Sequence, residues 1–167
     1  NRLRREVAPL RFNHAAKVVT NELNLTSDNR VLEIGCGVGL LGAAIQKQTG
    51  INTQYFGIDL RFDPELSESK NRGLSPIQSD AIRLPFPNGA FDRIISTDVF
   101  EHINDADMLI SETARVLRPG GKVFLVIADP SEGRYTKVVD HIDRTGSGSD
   151  VGYWDKKFKS AGFKLLN

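Results

Sequence analysis

The chain has 167 residues, of which 40% are hydrophobic and 26% are charged, as in an ordinary globular domain. Its 22 lysine and arginine residues balance 21 aspartate and glutamate residues, so the charge gives no evidence for binding to nucleic acid or a membrane surface. A single cysteine excludes an intramolecular disulfide, and no membrane-spanning segment or signal peptide is recognisable. We expect one domain over residues 1–167 and, by default, a cytoplasmic location.

Helices and strands alternate along the predicted chain. An N-terminal helical segment, residues 1–29, contains an amphipathic helix at 13–25. The predicted strands are 30–36, 53–60, 75–81, 91–98, 122–128 and 163–166. The later predicted helices are 40–48, a short one from Asp63, 105–117 with a stop at 118–121, a segment at 135–142, and 155–161 after a flexible loop at 146–152.

The predicted strands are apolar on both faces, which is typical of a mostly parallel sheet covered by helices. Right-handed crossovers between such strands predict a doubly wound α/β fold of Rossmann-like form. Ligands of these sheets bind at the carboxyl ends of the strands, near the point where the strand order reverses. Candidate functional residues are therefore those that directly follow a strand.

Residues 31–39 (VLEIGCGVG) place three glycines at alternate positions between a predicted strand and a predicted helix. Backbone without Cβ atoms can approach an anionic or polar ligand at a helix N-terminus. Residues 37–42 (GVGLLG) also match the dinucleotide-binding pattern, and Asp59 follows about twenty residues later. The register argues against this match, because the turn begins at Gly35 and because Glu33 stands where dinucleotide-binding strands are apolar.

Several further segments accompany the glycine motif. They are 57–60 (GIDL), 79–81 (SDA), 84–87 (LPFP), 91–92 (FD), 98–102 (DVFEH) and 115–121 (RVLRPGG). In these segments the chain resembles the class I, seven-stranded S-adenosylmethionine-dependent methyltransferases, and in particular their small-molecule branch. The resemblance runs from about residue 31 to residue 128 and is more specific than any single glycine pattern.

The resemblance implies S-adenosylmethionine as cofactor and S-adenosylhomocysteine as its product. Glu33 would face the α-ammonium group, directly or through water, and Asp59 would accept hydrogen bonds from both ribose hydroxyls. Asp80 would accept from the adenine amino group, and the N–H of Ala81 would donate to the ring. The other implied contacts are Gly35, Gly37 and Gly39 along the methionyl and ribose parts, Leu60 and Leu84 on the adenine faces, and Thr97 beside the methionyl group.

The implied reaction is in-line methyl transfer to an O, N or C nucleophile of a small molecule. His102 and His141 are the candidate catalytic residues, since a neutral, weakly acidic acceptor requires a general base. The spacing of Asp98, Glu101 and His102 would bring them together on a helix, and it resembles a metal-associated stretch of quinone-pathway O-methyltransferases. Because Asp98 replaces a glutamate of that stretch, we predict no metal.

The C-terminal part departs from the family pattern, because no seventh strand follows the predicted strand at 163–166. We expect a sheet without its last strand, whose open edge is covered by a partner or by a segment missing from this chain. The acceptor side is expected to comprise the N-terminal helix and residues 130–154, including Tyr135, Tyr153 and Trp154.

Two other functions stay open. A domain that binds S-adenosylmethionine without catalysing a reaction, as a module of a larger assembly, is consistent with the incomplete sheet. A nicotinamide-dependent oxidoreductase is consistent with the GVGLLG match but not with its register. Turnover separates catalysis from silent binding, and a binding comparison separates the two cofactors.

Overall fold

The computed structural model describes residues 2–50, 53–61, 73–129, 134–135 and 151–164. The helices are α1 (Arg2–Leu23), α2 (Leu40–Thr49), α3 (Ala106–Val116) and α4 (Val151–Ser160), with a 3₁₀ helix over Phe100–His102. The strands are β1 (Arg30–Ile34), β2 (Gln54–Asp59), β3 (Leu74–Gln78), β4 (Phe91–Thr97), β5 (Leu117–Val126), β6 (Ala128–Asp129) and β7 (Arg134–Tyr135). None of the helices in these residues is both long enough and apolar enough to cross a membrane.

Within the described residues, five parallel strands form one sheet in the order β3-β2-β1-β4-β5. One hydrophobic core joins this sheet to α1 and α2, through side chains such as Ala16 and Ile45. A second core joins it to α3 and α4, through side chains such as Leu109 and Phe158. The predicted doubly wound α/β fold is confirmed. The strand order reverses between β1 and β4, so the segments that follow these two strands flank the expected ligand crevice.

The start of β5 differs from the prediction. Leu117 pairs with Phe91 and Lys122 pairs with Arg93, so the residues at 118–121 bulge opposite a single residue of β4. The predicted turn therefore lies inside the strand, because pairing with β4 occurs on both sides of it.

The predictions for the C-terminal third are partly wrong. Tyr135 is not helical, because it pairs with Ala128 in the short antiparallel ladder of β6 and β7. Helix α4 begins at Val151, within the predicted flexible loop, and Phe163 and Lys164 are not in a strand. Other predicted features lie outside the described residues: the short helix from Asp63, most of 135–142, and residues 165–167.

Candidate functional site

The loop between β1 and α2, residues 35–39, is built around three glycines in the left-handed backbone region. The φ angles of Gly35, Gly37 and Gly39 are 77°, 50° and 75°. Residues with a side chain rarely adopt such φ angles, so the glycines allow the sharp turn from strand to helix. The N–H of Gly35 donates to the carbonyl of Ile58 at 2.8 Å, which fastens this glycine loop to β2.

Two glycines of the loop, at its start and at its middle, differ in the space around them. A Cβ atom at Gly35 would collide with the side chain of Val99, which follows β4. A Cβ atom at Gly37 would meet nothing within 4 Å. The loop is therefore packed against the end of β4 and open beside Gly37, where a ligand has room.

Asp59, the last residue of β2, reaches the open part of the glycine loop. Its Oδ2 accepts the N–H of Gly37 at 2.9 Å, and its Oδ1 accepts the N–H of Arg61 at 3.2 Å. An ionised carboxylate offers about four acceptor positions, so it can accept further hydrogen bonds from hydroxyl groups. The carboxylate predicted to bind ribose thus lies beside the predicted glycine turn and is half-exposed.

Glu33, on β1 just before the loop, is only 3% exposed. Its Oε2 accepts the hydroxyl of Tyr55, on β2, at 2.9 Å, and the N–H of Gly42 in the first turns of α2 also donates to it. Burial is the main cause that raises the pKa of this carboxyl to about 8, and the charge of Asp59 adds to the increase. The hydrogen bond from Tyr55 acts in the opposite direction and lowers the pKa. The carboxyl therefore binds protein groups beneath the loop.

Cys36 belongs to the glycine loop but faces the core, where it is 6% exposed. Its Sγ lies 2.7 Å from the position that a Cβ of Gly57 would occupy, so the two residues pack closely. Burial raises the pKa of the Cys36 thiol to about 12, and the neutral thiol is a poor nucleophile. Its role is packing.

Asp80 and Ala81 lie in the loop from β3 to β4, next to the end of β2. The N–H of Ser79 donates to the carbonyl of Asp59 at 2.9 Å, which joins the ends of the two strands. Asp80 is exposed and its Oδ1 accepts the N–H of Ile82 at 3.1 Å, whereas Ala81 is buried. Both residues are therefore on the same sheet edge as Asp59.

Two side chains of α3 hold this same loop in place. The Arg115 guanidinium donates to the carbonyls of Leu84 and Phe86 at 3.0 and 2.7 Å. Glu112 accepts the N–H of Leu84 at 2.8 Å and pairs with Arg115 at 2.6 Å; the hydrogen bond from Arg115 is the main reason that its pKa is lowered. This pair was not predicted, because its only sequence signal is the spacing of opposite charges along a helix.

The two leucines predicted to cover the adenine faces differ in exposure. Leu60, directly after β2, is 64% exposed, so its apolar surface is accessible to a ligand. Leu84 is 4% exposed and packs within the core, so its predicted adenine contact is wrong. Ile82 and Phe86, two residues before and two residues after Leu84, are half-buried apolar side chains that keep some exposed surface.

The segment after β4 lies at the same sheet edge. Thr97, the last residue of β4, is half-buried, and Val99 contacts the glycine loop at Gly35. The 3₁₀ helix that follows leaves the side chain of His102 exposed. His102 is therefore close in the chain to a residue that contacts the glycine loop.

The helical spacing predicted for Asp98, Glu101 and His102 is wrong. Asp98 has a φ of 61°, and its N–H donates to the carbonyl of Val126 at 2.9 Å, so it ends the sheet and does not begin a helix. In the described parts of the chain, no group of three or more His, Cys, Asp or Glu side chains is arranged to hold a metal ion.

Trp154 was predicted to line the acceptor side, but it is 3% exposed and packs in the core. Its ring lies edge-on to that of Phe100, with the centroids 5.9 Å apart, and Phe158 stacks on Phe100 at the same distance. Trp154 and Phe158 therefore support the 3₁₀ helix that carries His102. Other predicted acceptor-side residues have side chains outside the described residues: Tyr135, Tyr153 and His141.

The family model described as "Methyltransferase domain" matches residues 32–125, from β1 to β5. The chain belongs to this family. The class is that of the S-adenosylmethionine-dependent methyltransferases, as the resemblance implied, and S-adenosylmethionine is the cofactor of this family. The assignment favours S-adenosylmethionine over a nicotinamide dinucleotide, in agreement with the register of the glycines.

Similar proteins include methyltransferase GfsG of Streptomyces halstedii, 36% identical over 112 residues that cover 64% of this chain and 40% of that protein. The fatty-acid O-methyltransferase of Mycolicibacterium smegmatis is 32% identical over 142 residues, 83% of this chain and 45% of that protein. The chain thus spans less than half the length of these two relatives. The crystal structure of the (4+2)-cyclase SpnF has a TM-score of 0.70 and 20% identity, covering 93% of this chain and 59% of that one. That match shows the fold alone.

Proposed function

We propose that this chain binds S-adenosylmethionine at the carboxyl ends of β1, β2 and β4 and transfers its methyl group to a small molecule. The observation that carries the proposal is the hydrogen bond of 2.9 Å from the N–H of Gly37 to Asp59. It fixes a carboxylate beside a loop that is open to a ligand. Family membership supplies the identity of that ligand.

The residues present suit this cofactor. The space beside Gly37 accommodates a ligand that approaches the backbone closely, which a side chain at this position would obstruct. Asp59 can accept further hydrogen bonds, as two ribose hydroxyls require. Leu60 offers exposed apolar surface next to Asp59 for one face of the adenine.

The remaining cofactor contacts belong to the same proposal. Asp80 would accept from the adenine amino group, and the N–H of Ala81 would donate to the ring. Thr97 would flank the methionyl part, together with the backbone of Gly35 and Gly39. Glu33 would act on the ammonium group from beneath the loop, since its carboxyl already bonds with Tyr55 and Gly42.

When bound, the cofactor supplies a methyl group that its sulfonium already activates. The chain must then hold that group in line with a nucleophile and exclude water. For a neutral acceptor, His102 is the candidate general base, because its exposed side chain follows β4. His141 is proposed for the acceptor side within residues 130–154. The acceptor atom is an O, N or C; the relative that acts on a fatty acid makes an apolar acid one acceptor to test.

Asp59→Ala tests the cofactor contact. We expect it to weaken S-adenosylhomocysteine binding by about 1–3 kcal/mol, since two hydroxyl donors lose a charged acceptor. Calorimetric titration of both folded proteins measures the change. Asp28→Ala is the matched control, because Asp28 is exposed and precedes β1, at the opposite edge of the sheet. Equal affinity of Asp59→Ala and wild type would remove the ribose assignment.

Transfer of a labelled methyl group tests the reaction itself. The protein is incubated with labelled S-adenosylmethionine and a set of fatty acids, amines and phenols, and the labelled product is measured. We expect transfer to at least one of these acceptor classes. Binding of the cofactor without transfer to any acceptor would favour a silent binding domain.

A further inference from the structure

Beneath the glycine loop, three elements meet at the Glu33 carboxyl. Glu33 lies on β1, in the middle of the sheet. The hydroxyl of Tyr55, on β2, and the N–H of Gly42, on α2, both donate to its carboxyl. Glu33 and Tyr55 are 3% and 2% exposed. A buried carboxyl that joins two strands to the following helix fixes how the loop between them is presented.

The position of Tyr55 depends on a glycine of α2. A Cβ atom at Gly42 would lie 2.7 Å from the ring of Tyr55, so the absence of a side chain there lets the ring pack against the helix. The ring thus reaches Glu33 because α2 lies close to β2 at this position. The same helix begins at the glycine loop.

We propose that Tyr55 is a positioning residue for the cofactor. The Tyr55 hydroxyl holds the Glu33 carboxyl beneath the glycine loop, so that a cationic ligand bound at the loop favours the carboxylate form of Glu33. This inference rests on the proposed function. S-adenosylmethionine brings a sulfonium and an ammonium charge to the loop. A hydrogen bond from Tyr55 favours the carboxylate over the carboxylic acid, because the hydroxyl donates to the charged oxygen.

Among the described residues, titratable groups face Glu33 from β2 and from the glycine loop. Tyr55 and Asp59 face it from β2, Cys36 from the glycine loop, and Gly42 contributes only its N–H from α2. On the other side, the partner of Glu33 in β4 is Ile95, which does not titrate.

Without a cation, burial keeps Glu33 protonated up to a pKa of about 8. Binding of the cation then releases the Glu33 proton, so the affinity for the cation rises with pH until the pH exceeds the Glu33 pKa. In Tyr55→Phe the carboxylate loses a donor, which raises the Glu33 pKa further. At neutral pH this variant should bind S-adenosylmethionine about tenfold more weakly, with its pH profile displaced to higher pH.

The experiment is calorimetric titration of wild type, Tyr55→Phe and Glu33→Gln with S-adenosylmethionine between pH 6 and 9. Each titration is run in two buffers of different ionisation enthalpy, which gives the number of protons released. Glu33→Gln supplies the background from the cofactor's own amino group, and we expect wild type to release more protons than this variant. Unfolding in urea reports stability in parallel. Thr113→Val is the control for losing a buried hydroxyl, because the Thr113 hydroxyl bonds only within α3, at the carbonyl of Leu109.

The outcomes are distinct. Weaker binding and a displaced pH profile in Tyr55→Phe support the proposal, provided that Glu33→Gln shows only the pH dependence of the cofactor's own amino group. Lower stability of Tyr55→Phe with unchanged affinity and proton release, as expected for Thr113→Val, overturns it and leaves the cofactor assignment intact. A pH profile of Glu33→Gln equal to that of wild type also overturns it, even when Tyr55→Phe does not fold. Failure of the wild-type chain to bind at any pH removes the proposed function and this inference together.

Discussion

Two carboxyl groups flank the glycine loop, and their surroundings differ in one main respect. Glu33 is buried beneath the loop, where desolvation raises its pKa to about 8. Asp59 is half-exposed beside the open part of the loop, where backbone N–H groups donate to it. The difference in burial therefore gives the two carboxyl groups different roles. The Glu33 carboxyl joins the strand before the loop to β2 and α2, whereas the Asp59 carboxyl is open to a ligand.

The largest expected effect is on the Glu33 side, in the pH dependence of stability. The folded-state pKa of about 8 exceeds the ordinary value of 4.5, so the contribution of the protonated carboxyl is fully present below pH 4.5 and is lost as the pH rises to 8. Over this window we expect the wild-type unfolding free energy to fall relative to that of Glu33→Gln by on the order of 3–5 kcal/mol. Urea unfolding at several pH values measures it. Parallel pH profiles for the two proteins would contradict the buried-acid description.

Gly35→Ala should also lower the stability of the protein. Its new Cβ collides with Val99, and the backbone at φ 77° disfavours a side chain. We expect a loss of about 2–4 kcal/mol in the free energy of unfolding. Thermal or urea unfolding checks this value. A variant as stable as wild type would mean that the glycine loop is not packed against the end of β4.

Gly37→Ala should have the smallest effect on stability, because its Cβ meets no atom within 4 Å and only the φ of 50° is unfavourable. We expect about 1–2 kcal/mol of destabilisation. Its main effect should be weaker cofactor binding, since the methyl group enters the space beside Asp59. Comparison with Gly35→Ala separates the packed start of the loop from its open middle. Unchanged binding in a folded Gly37→Ala protein would place the ligand elsewhere.

The sequence predicted the parts of the site that local pattern determines. Alternate glycines after an apolar strand predicted the loop, and strand ends in a parallel sheet predicted that Asp59 would lie beside it. The contact between Tyr55 and Glu33 was missed because it depends on strand register: Val31 pairs with Tyr55, and alternation then puts Glu33 on the same face of the sheet. No pattern within either strand specifies that register.

The errors arose where tertiary packing decides the outcome. Leu84 and Trp154 were predicted to face ligands, but both lie in the core that α3 and α4 form with the sheet. The bulge in β5 follows from pairing with β4, which the Pro-Gly-Gly sequence at 119–121 does not reveal. These three errors concern residues whose neighbours are distant in the chain.

The most direct test of the central claim is calorimetric titration of the wild-type chain with S-adenosylhomocysteine, with NAD as the parallel ligand. We predict binding of S-adenosylhomocysteine alone, with a Kd in the micromolar range, or on the order of −8 kcal/mol. Absence of S-adenosylhomocysteine binding, or preferential binding of NAD, would contradict the assignment of the glycine loop and Asp59 as a site for S-adenosylmethionine.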